Sequence, residues 1–425
     1  MPGPLDGVRV LEFTEIIAGP FSGMLLSDMG ADVIKVEPPW GEPWRFAQPF
    51  MPNESKTFMG LNRGKKSLTL DLTKEEAREI VYKMIPDMDV VIVNSRPDVP
   101  YNLEIDFETL SAINPRLIYC ENTAFGRQGP HSSRPGYDII AQAMTGLMAA
   151  EDKIANGVPQ QVQSSPLADF STGITMAWSV CAALYSRERT GKGQKIETTL
   201  LGTALALQTM RFMQVEEVDK DRTSEFLESL ALLREAGTPY EGIQEHYLDT
   251  YDPGRRRLGN AYYRTYQTKD GVIAIGCLSD PLRKRMIDLL GLEDIRFQPD
   301  YDMYSDETRQ FNLRLVAQVE ELFLQKSVSE WLEVLDAAGV PAGPVRFVEE
   351  LLDDEQVTSN GLVVELEHSL AGTVTMVGPI LKMSETPLRA QSASPALGEG
   401  TIDILHGLGY DDDDLSKLRE KGAIQ

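Results

Sequence analysis

Residues 164–194 read SSPLADFSTGITMAWSVCAALYSRERTGKGQ and hold one aspartate, Asp169, just ahead of an uncharged apolar run at residues 174–185. An aspartate at the mouth of a helix has two uses. It can cap the unpaired N–H groups of the first turn, the commoner fate. Alternatively, those N–H groups favour its ionised form while burial opposes it, and a partly desolvated carboxylate is a competent nucleophile toward an activated acyl group. These residues alone leave both readings open.

Other chemistries find little footing. The first strand–turn–helix reads TEIIAGPFSG rather than G-x-G-x-x-G, although Glu37 stands where a ribose-binding acid would. No P-loop and no G-x-S-x-G elbow occurs. His131, His246, His368 and His406 lie far apart, outside any metal-ligand spacing. Cys120, Cys181 and Cys277 are scattered and odd in number, which suggests reduced thiols. What remains is carboxylate chemistry, with three basic clusters as anion contacts or solvated turns: NRGKK at 62–66, RERTGKGQK at 187–195 and GRRR at 254–257.

The surrounding pattern must position these groups. Residues 8–13, 32–37, 67–72, 89–94 and 116–123 read as short apolar strands, with helices between them, the first opened by Pro20 and closed by Gly30. Strands alternating with helices predict an α/β fold, a doubly wound, Rossmann-like parallel sheet covered on both faces. The apolar run after Asp169 reads as a buried helix. The pattern changes near residue 205. We expect a large domain over residues 1–210, a charged helical arm over 211–240 and a smaller α+β domain over 241–338, opening with a hairpin that turns at Lys269-Asp270-Gly271. A Gly/Pro joint at 339–345 then begins a C-terminal segment, 339–425, that returns to the large domain. It carries strands at 362–366 and 373–377, a last helix near 401–408, and Asp411–Asp414 as an acidic helix start.

Composition narrows the class. The chain has 425 residues, 42% apolar and 25% charged, with a formal net charge of −24. That charge disfavours nucleic acid and anionic membrane surfaces as partners. No uninterrupted apolar run approaches the roughly 20 residues of a membrane span, and the N-terminus has no signal-peptide pattern. A cytoplasmic enzyme is expected.

Several segments together resemble the class III coenzyme A transferases, a family that includes formyl-CoA and carnitine CoA-transferases and, as relatives, the α-methylacyl-CoA racemases. They are LDGVRVLEFTEIIAGPFSGMLLSDMGADVIKVEPP, LNRGKKSLTLDL, FGRQGPHSSRPGYDIIAQAMTGLM, the Asp169 segment LADFSTGITMAWSVCAALYSRERTGKGQKIE, AAGVPAGPV and SPALGEGT. The resemblance spans nearly the whole chain. It implies that Asp169 is the nucleophile, passing through an aspartyl–acyl anhydride and an aspartyl-CoA thioester. It implies a CoA thioester as substrate, no permanently bound cofactor or metal, a carboxylic acid acceptor, and an interlocked homodimer. Small dicarboxylates such as succinate, malate, citramalate or mesaconate are the acceptors considered, with transfer between or within molecules.

Position by position, the resemblance places Ile16, Ile17 and Ala18 beside the pantetheine and Asn62, Arg63, Lys65 and Lys66 at phosphates. Asn94, Arg96, Phe125, Gly126, Arg134 and Tyr137 complete the expected CoA site. Two departures stand out. The stretch RPDVPYNLEID lacks a later arginine, and Pro38 stands where some members carry arginine, so phosphate recognition is expected to lean on Lys65, Lys66 and Arg96. The loop DPGRRRLGNAYYR is a candidate lid or a basic surface turn. Gly136-Tyr137-Asp138 has tyrosine where the racemase branch carries histidine, and Asp138 is read as a buried hydrogen-bond partner or a reacting group. A 2-methylacyl-CoA racemase is the alternative enzyme, and a non-catalytic CoA-binding protein the alternative outside catalysis.

Overall fold

The computed structural model describes residues 2–151, 153–251, 260–303 and 305–425. Two compact units are present: Met1–Gln214 with Glu355–Gln425, and Val215–Asp354.

The first unit is built on a six-stranded sheet of β1 (Arg9–Phe13), β2 (Asp32–Glu37), β3 (Lys65–Thr69), β4 (Val90–Val93), β5 (Ile118–Thr123) and β6 (Gln194–Thr199). Their order is β3-β2-β1-β4-β5-β6, and every pairing is parallel. The strand order therefore reverses between β1 and β4, which leaves a crevice where their carboxyl ends diverge. Alternation sends Leu11, Phe13, Ile34 and Val36 to one face, under α3 (Glu75–Met84). Val10, Val33, Val90 and Ile92 go to the other, under α1 (Ala18–Asp28). Sequence reading missed β6 because QKIETT is a half-exposed edge strand with little apolar signal. It also started β3 two residues late, because the strand opens on charged Lys65, which is itself buried.

Between the sheet and its first turn lies an ion network with no solvent around it. Lys35 Nζ sits 3.3 Å from Glu12 and 3.2 Å from Glu42. Lys65 Nζ is 2.9 Å from Glu12. Arg45 holds Glu37 at 2.7 Å and Glu54 at 3.1 Å, with its guanidinium 3.6 Å from the centre of the Phe58 ring in α2 (Lys56–Asn62). Burial pulls Lys65 down to about 8 against the pull of Glu12, while it pushes Glu54 up to about 7 despite Arg45.

α4 (Asp138–Met144) and α5 (Leu167–Thr190) follow. α5 is long and apolar enough to cross a membrane, a test that a core helix also passes. One face packs Met176, Ala177, Val180 and Leu184 on the sheet and α1, while Ile174, Trp178 and Tyr185 stand exposed, so the helix read as buried is half-buried. Gly173 lets α1 come close: a Cβ there would meet the Ala18 carbonyl oxygen at 2.8 Å. The helix ends at Gly191, φ 72°, a left-handed stop that suits glycine.

The second unit begins with α6 (Glu216–Glu235), which buries no residue. A hairpin of β7 (Tyr263–Gln267) and β8 (Val272–Gly276) packs with α7 (Asp280–Leu290), α8 (Asp306–Phe323) and α9 (Val328–Ala337) around Tyr266, Phe323 and Trp331. The joint at 339–345, expected to open the C-terminal segment, instead carries β9 (Ala342–Pro344), paired with β8. Its backbone groups need that ladder, so the chain leaves this unit only after Asp354. The return segment brings β10 (Val363–His368) and β11 (Gly372–Val377), then α10 (Thr401–Gly407) and α11 (Asp412–Glu420), capped by Asp411 as expected from its acidic start. His368 Nδ1 accepts from the N–H of Leu370 and Ala371, which puts its ring proton on Nε2, 3.6 Å from Glu54.

The network constrains what surrounds it. A Cβ on Gly23 of α1 would lie 1.8 Å from Glu12 Oε2. Gly23→Ala is expected to displace that carboxylate from Lys65 and to cost about 3 kcal/mol or more. Urea unfolding measures this; an unchanged midpoint would mean that the pair re-forms freely.

Candidate active site

At the carboxyl ends of β1, β4, β5 and β6 the loops enclose a cleft of about 120 Å³ that includes Asp169. The β1 loop contributes Glu15 and Ile16, the β4 loop Asn94–Pro97, the β5 loop Asn122–Ala124 and the start of the helix after β6 Leu200. Arg134, Gly136 and Tyr137 close it from the segment before α4. A wider hollow of about 410 Å³ adjoins it, sharing Glu15, Asn94, Ser95, Arg96 and Tyr137 and extending over Val36, Trp40 and Leu70.

Asp169 does not cap its helix. α5 begins at Leu167, so Asp169 is its third residue. The capping acceptor comes from α4: Asp138 Oδ1 accepts the N–H of Ala168 at 2.7 Å and of Asp169 at 3.2 Å. Asp138 Oδ2 accepts from Gln142 Nε2 at 2.5 Å, and Gln142 Oε1 accepts from Val162 N–H. Asp138 is thus a buried hydrogen-bond partner, and it leaves the Asp169 carboxyl without a hydrogen bond among the described residues. Asp169 is 9% exposed. Burial and, after it, the charge of Asp138 push its pKa from 3.8 up to about 7. A helix start supplies partial positive charge, yet desolvation wins. Glu15, on the facing loop, is also raised, by burial and then by Glu42.

Of the expected substrate-binding residues, Ile16, Asn94, Arg96, Arg134 and Tyr137 meet at the cleft. Ile17 and Ala18 are buried behind it at the start of α1, and Phe125 is buried beneath Arg134, whose guanidinium lies 5.9 Å from its ring centre. Gly126 forms the turn after β5, its φ of 87° anchored by an N–H bond to Thr123. Asn62, Arg63, Lys65 and Lys66 border neither this cleft nor the adjoining hollow. Asn62 donates to Phe58 O and accepts from Lys65. Arg63 grips Asp28 with both Nε and Nη2. Lys65 belongs to the buried network, and Lys66 pairs with Asp32 at 2.7 Å at the amino end of β3, away from the cleft at the carboxyl ends. The cluster NRGKK looks basic in sequence, but three of these four side chains have turned inward to carboxylates or amides. Of the cations expected at phosphates, Arg96 alone borders the cleft. Arg255–Arg257 lie outside the described residues.

Sequence reasoning missed Glu15, Asn122, Thr123 and Leu200. Glu15 sits directly before the expected Ile16, Asn122 and Thr123 end β5 and Leu200 follows β6, so the rule that sites gather at carboxyl ends of parallel strands would have pointed to them, to Leu200 once β6 was recognised.

A sequence profile of CoA-transferase family III matches residues 5–401. The chain belongs to CoA-transferase family III. Succinyl-CoA:glutarate CoA-transferase of Mus musculus is 31% identical over 431 residues, covering 99% of this chain and 90% of that one. Acetyl-CoA:oxalate CoA-transferase of Acetobacter aceti is 33% identical over 383 residues, covering 90% of each chain. The crystal structure of a CAIB/BAIF family protein from Brucella suis superposes with a TM-score of 0.72 at 31% identity, covering 96% of this chain and all of that one. The protein is therefore an enzyme of the class III CoA-transferase type, an assignment that rests on family membership over almost its full length.

The raised Asp169 carboxyl has two consequences for this transferase. If the ionised form reacts, kcat/KM rises with pH through about 7. Asp138→Asn keeps an acceptor for the α5 N–H groups but removes the like charge, so the acid limb is expected to move to lower pH; a limb that stays would show that burial alone sets it. For stability the sign is fixed. Between 3.8 and about 7 the folded carboxyl holds a proton that the unfolded one releases, so stability falls as pH rises across that window. Asp169→Asn is expected to melt higher than the parent above pH 7, gaining about 1.4 kcal/mol for each pH unit that separates the folded and unfolded carboxyls. The two should converge at acid pH, and calorimetry across pH reads the difference.

Proposed function

We propose that the protein moves CoA from an acyl-CoA to a carboxylic acid, with Asp169 as nucleophile. The observation that carries this is a lone, nearly buried carboxyl, without a hydrogen bond among the described residues, opening on a cleft at the carboxyl ends of a parallel sheet. The Asp169 carboxylate attacks the thioester carbonyl and CoA thiolate leaves, giving an aspartyl–acyl anhydride. The thiolate attacks the aspartyl carbonyl, releasing the donor's acid and leaving an aspartyl-CoA thioester. The acceptor carboxylate then attacks that thioester, and CoA thiolate closes the cycle on the acceptor's acyl carbon. Each step conserves the activated acyl bond, so no ATP is consumed. The anhydride must be kept from water, which would destroy it.

The acceptor class we infer is a small dicarboxylic acid. The relatives named above act on glutarate and oxalate. Arg96 and Arg134 border the same cleft as Asp169 and offer a second carboxylate its counter-charge. The adjoining hollow, with an apolar floor of Val36 and Leu70, suits the remainder of the CoA ester. Among the described residues no histidine borders the cleft, so the racemase reading lacks an imidazole there. We also propose a homodimer in which the chains interlock. The exposed Ile174, Trp178 and Tyr185 of α5, and α6 with Leu227 and Leu232 exposed and no residue buried, support a partner over these faces. The free Cys120, Cys181 and Cys277 suit a reducing, cytoplasmic setting.

The test is a mass-spectrometric screen in deuterated buffer, with succinyl-CoA and other acyl-CoAs against a panel of mono- and dicarboxylic acids. The expected result is a new CoA ester with a dicarboxylate, lost in Asp169→Ala while that variant still binds the CoA ester. Turnover unchanged in Asp169→Ala would overturn the mechanism. A rearranged ester formed without acceptor would make the transfer intramolecular. Deuterium at the α-carbon without a new ester would identify a racemase.

A further inference from the structure

The β1–α1 turn carries a backbone anomaly. Ile16 has φ 70°, in the left-handed region that a β-branched residue rarely enters. Such strain persists only where the surroundings over-determine it, and here the surroundings are specific. Thr14 C=O accepts from Lys35 Nζ at 2.7 Å. The Glu15 N–H donates to Asn94 Oδ1 at 3.0 Å, and the Glu15 C=O accepts from Asn94 Nδ2 at 2.7 Å. The Ile16 N–H donates to Glu42 Oε2 at 3.0 Å. Four successive backbone groups are thus held by three side chains. Two of these are tied together: Glu42, 2% exposed, is paired with fully buried Lys35 at 3.2 Å. Burial pulls Lys35 down, but Glu42, Glu12 and Glu37 together hold it above its ordinary range, so Lys35 stays charged. Glu42 does not border the Asp169 cleft, whereas Ile16 and Glu15 do; it reaches the wall of the adjoining hollow with only 2% of its surface exposed.

We infer that Glu42 is a positioning residue: locked by Lys35, it holds the Ile16 peptide in its left-handed conformation and so fixes the wall that faces Asp169. Without the Glu42 acceptor, Ile16 is expected to relax to negative φ, turning its side chain and the neighbouring Glu15 carboxyl away from their present places. The inference rests on the reading of this cleft as the transferase site. It extends that reading to a residue one layer below the cleft, in the segment PPWGEPWRF, which sequence analysis gave no role.

A double-mutant cycle tests it. Glycine takes positive φ without strain, so Ile16→Gly removes the need for a clamp. Glu42→Ala is expected to lower kcat by about tenfold or more, with KM for the CoA ester changed less than about threefold, because the acceptor acts through geometry rather than by touching ligand. In the Ile16→Gly background the same Glu42→Ala change is expected to lower kcat by less than about threefold. An equal loss in both backgrounds would overturn the inference, as would a loss confined to KM. If Glu42→Ala does not fold, Glu42→Gln takes its place in the cycle; its amide keeps bulk but cannot serve both the Ile16 N–H and Lys35 as a carboxylate does, and the same equal-loss criterion applies. The covalent CoA adduct is located in parallel by peptide mass spectrometry of the unmutated enzyme. An adduct absent from Asp169 overturns the nucleophile assignment, while the coupling of Ile16 to Glu42 is read from turnover independently.

Discussion

Seven charged side chains, Glu12, Lys35, Glu37, Glu42, Arg45, Glu54 and Lys65, are removed from water beneath the first turn of the sheet. Burying charge is costly, and the cost is recovered only when every partner is in place. This makes the network a constraint on everything around it. It sets how closely α1 may approach β1, through Gly23. It occupies Lys65, which removes the most obvious cation from ligand binding. It also supplies two of the three side chains that hold the β1–α1 turn, Lys35 and Glu42, beside Asn94.

Asp169 is governed by the opposite logic. Its neighbours give its carboxyl no counter-ion and no hydrogen bond among the described residues. The hydrogen bonds that would ordinarily come to a residue at a helix start are taken by Asp138, which contributes a like charge besides. The carboxyl is therefore held where ionisation is unfavourable, and a carboxylate poorly satisfied by its surroundings gains by forming a covalent bond. Two acids on neighbouring helices differ in their surroundings: Asp138 is satisfied and structural, while Asp169 is unsatisfied and borders the cleft.

Much of this was legible in the sequence, for identifiable reasons. The buried central strands announce themselves as apolar runs, and Gly30 and Gly191 mark helix ends where a left-handed residue is needed. Asp169, Arg134 and Tyr137, which border one cleft, stand in segments of distinctive local sequence. What was not legible depends on contacts distant along the chain. β6 is polar because it is an edge. The inward pairing of Arg63 and Lys65 was not legible because their partners, Asp28 and Glu12, lie more than 30 residues away. The capping of α5 by Asp138, 30 residues earlier, could not be inferred from the helix itself, which is why Asp169 looked like its own cap.

The edge of the sheet at β3 has a further implication, for the order of events during synthesis. Gly400 N–H donates to Ser67 O, Gly398 N–H to Ser67 Oγ, and Thr401 Oγ1 accepts from Thr69 N–H, 332 positions earlier in the chain. Gly64 N–H likewise donates to Ser392 O. A ribosome has therefore made β3, and then the whole second unit, before the residues that cover this edge exist. For that interval the nascent protein carries β3 with its outer edge uncovered, a state that invites mispairing with other chains. The polar composition of β3, KKSLT, with Lys66 outermost, is the kind of edge that discourages such pairing while the chain waits for its own C-terminal segment.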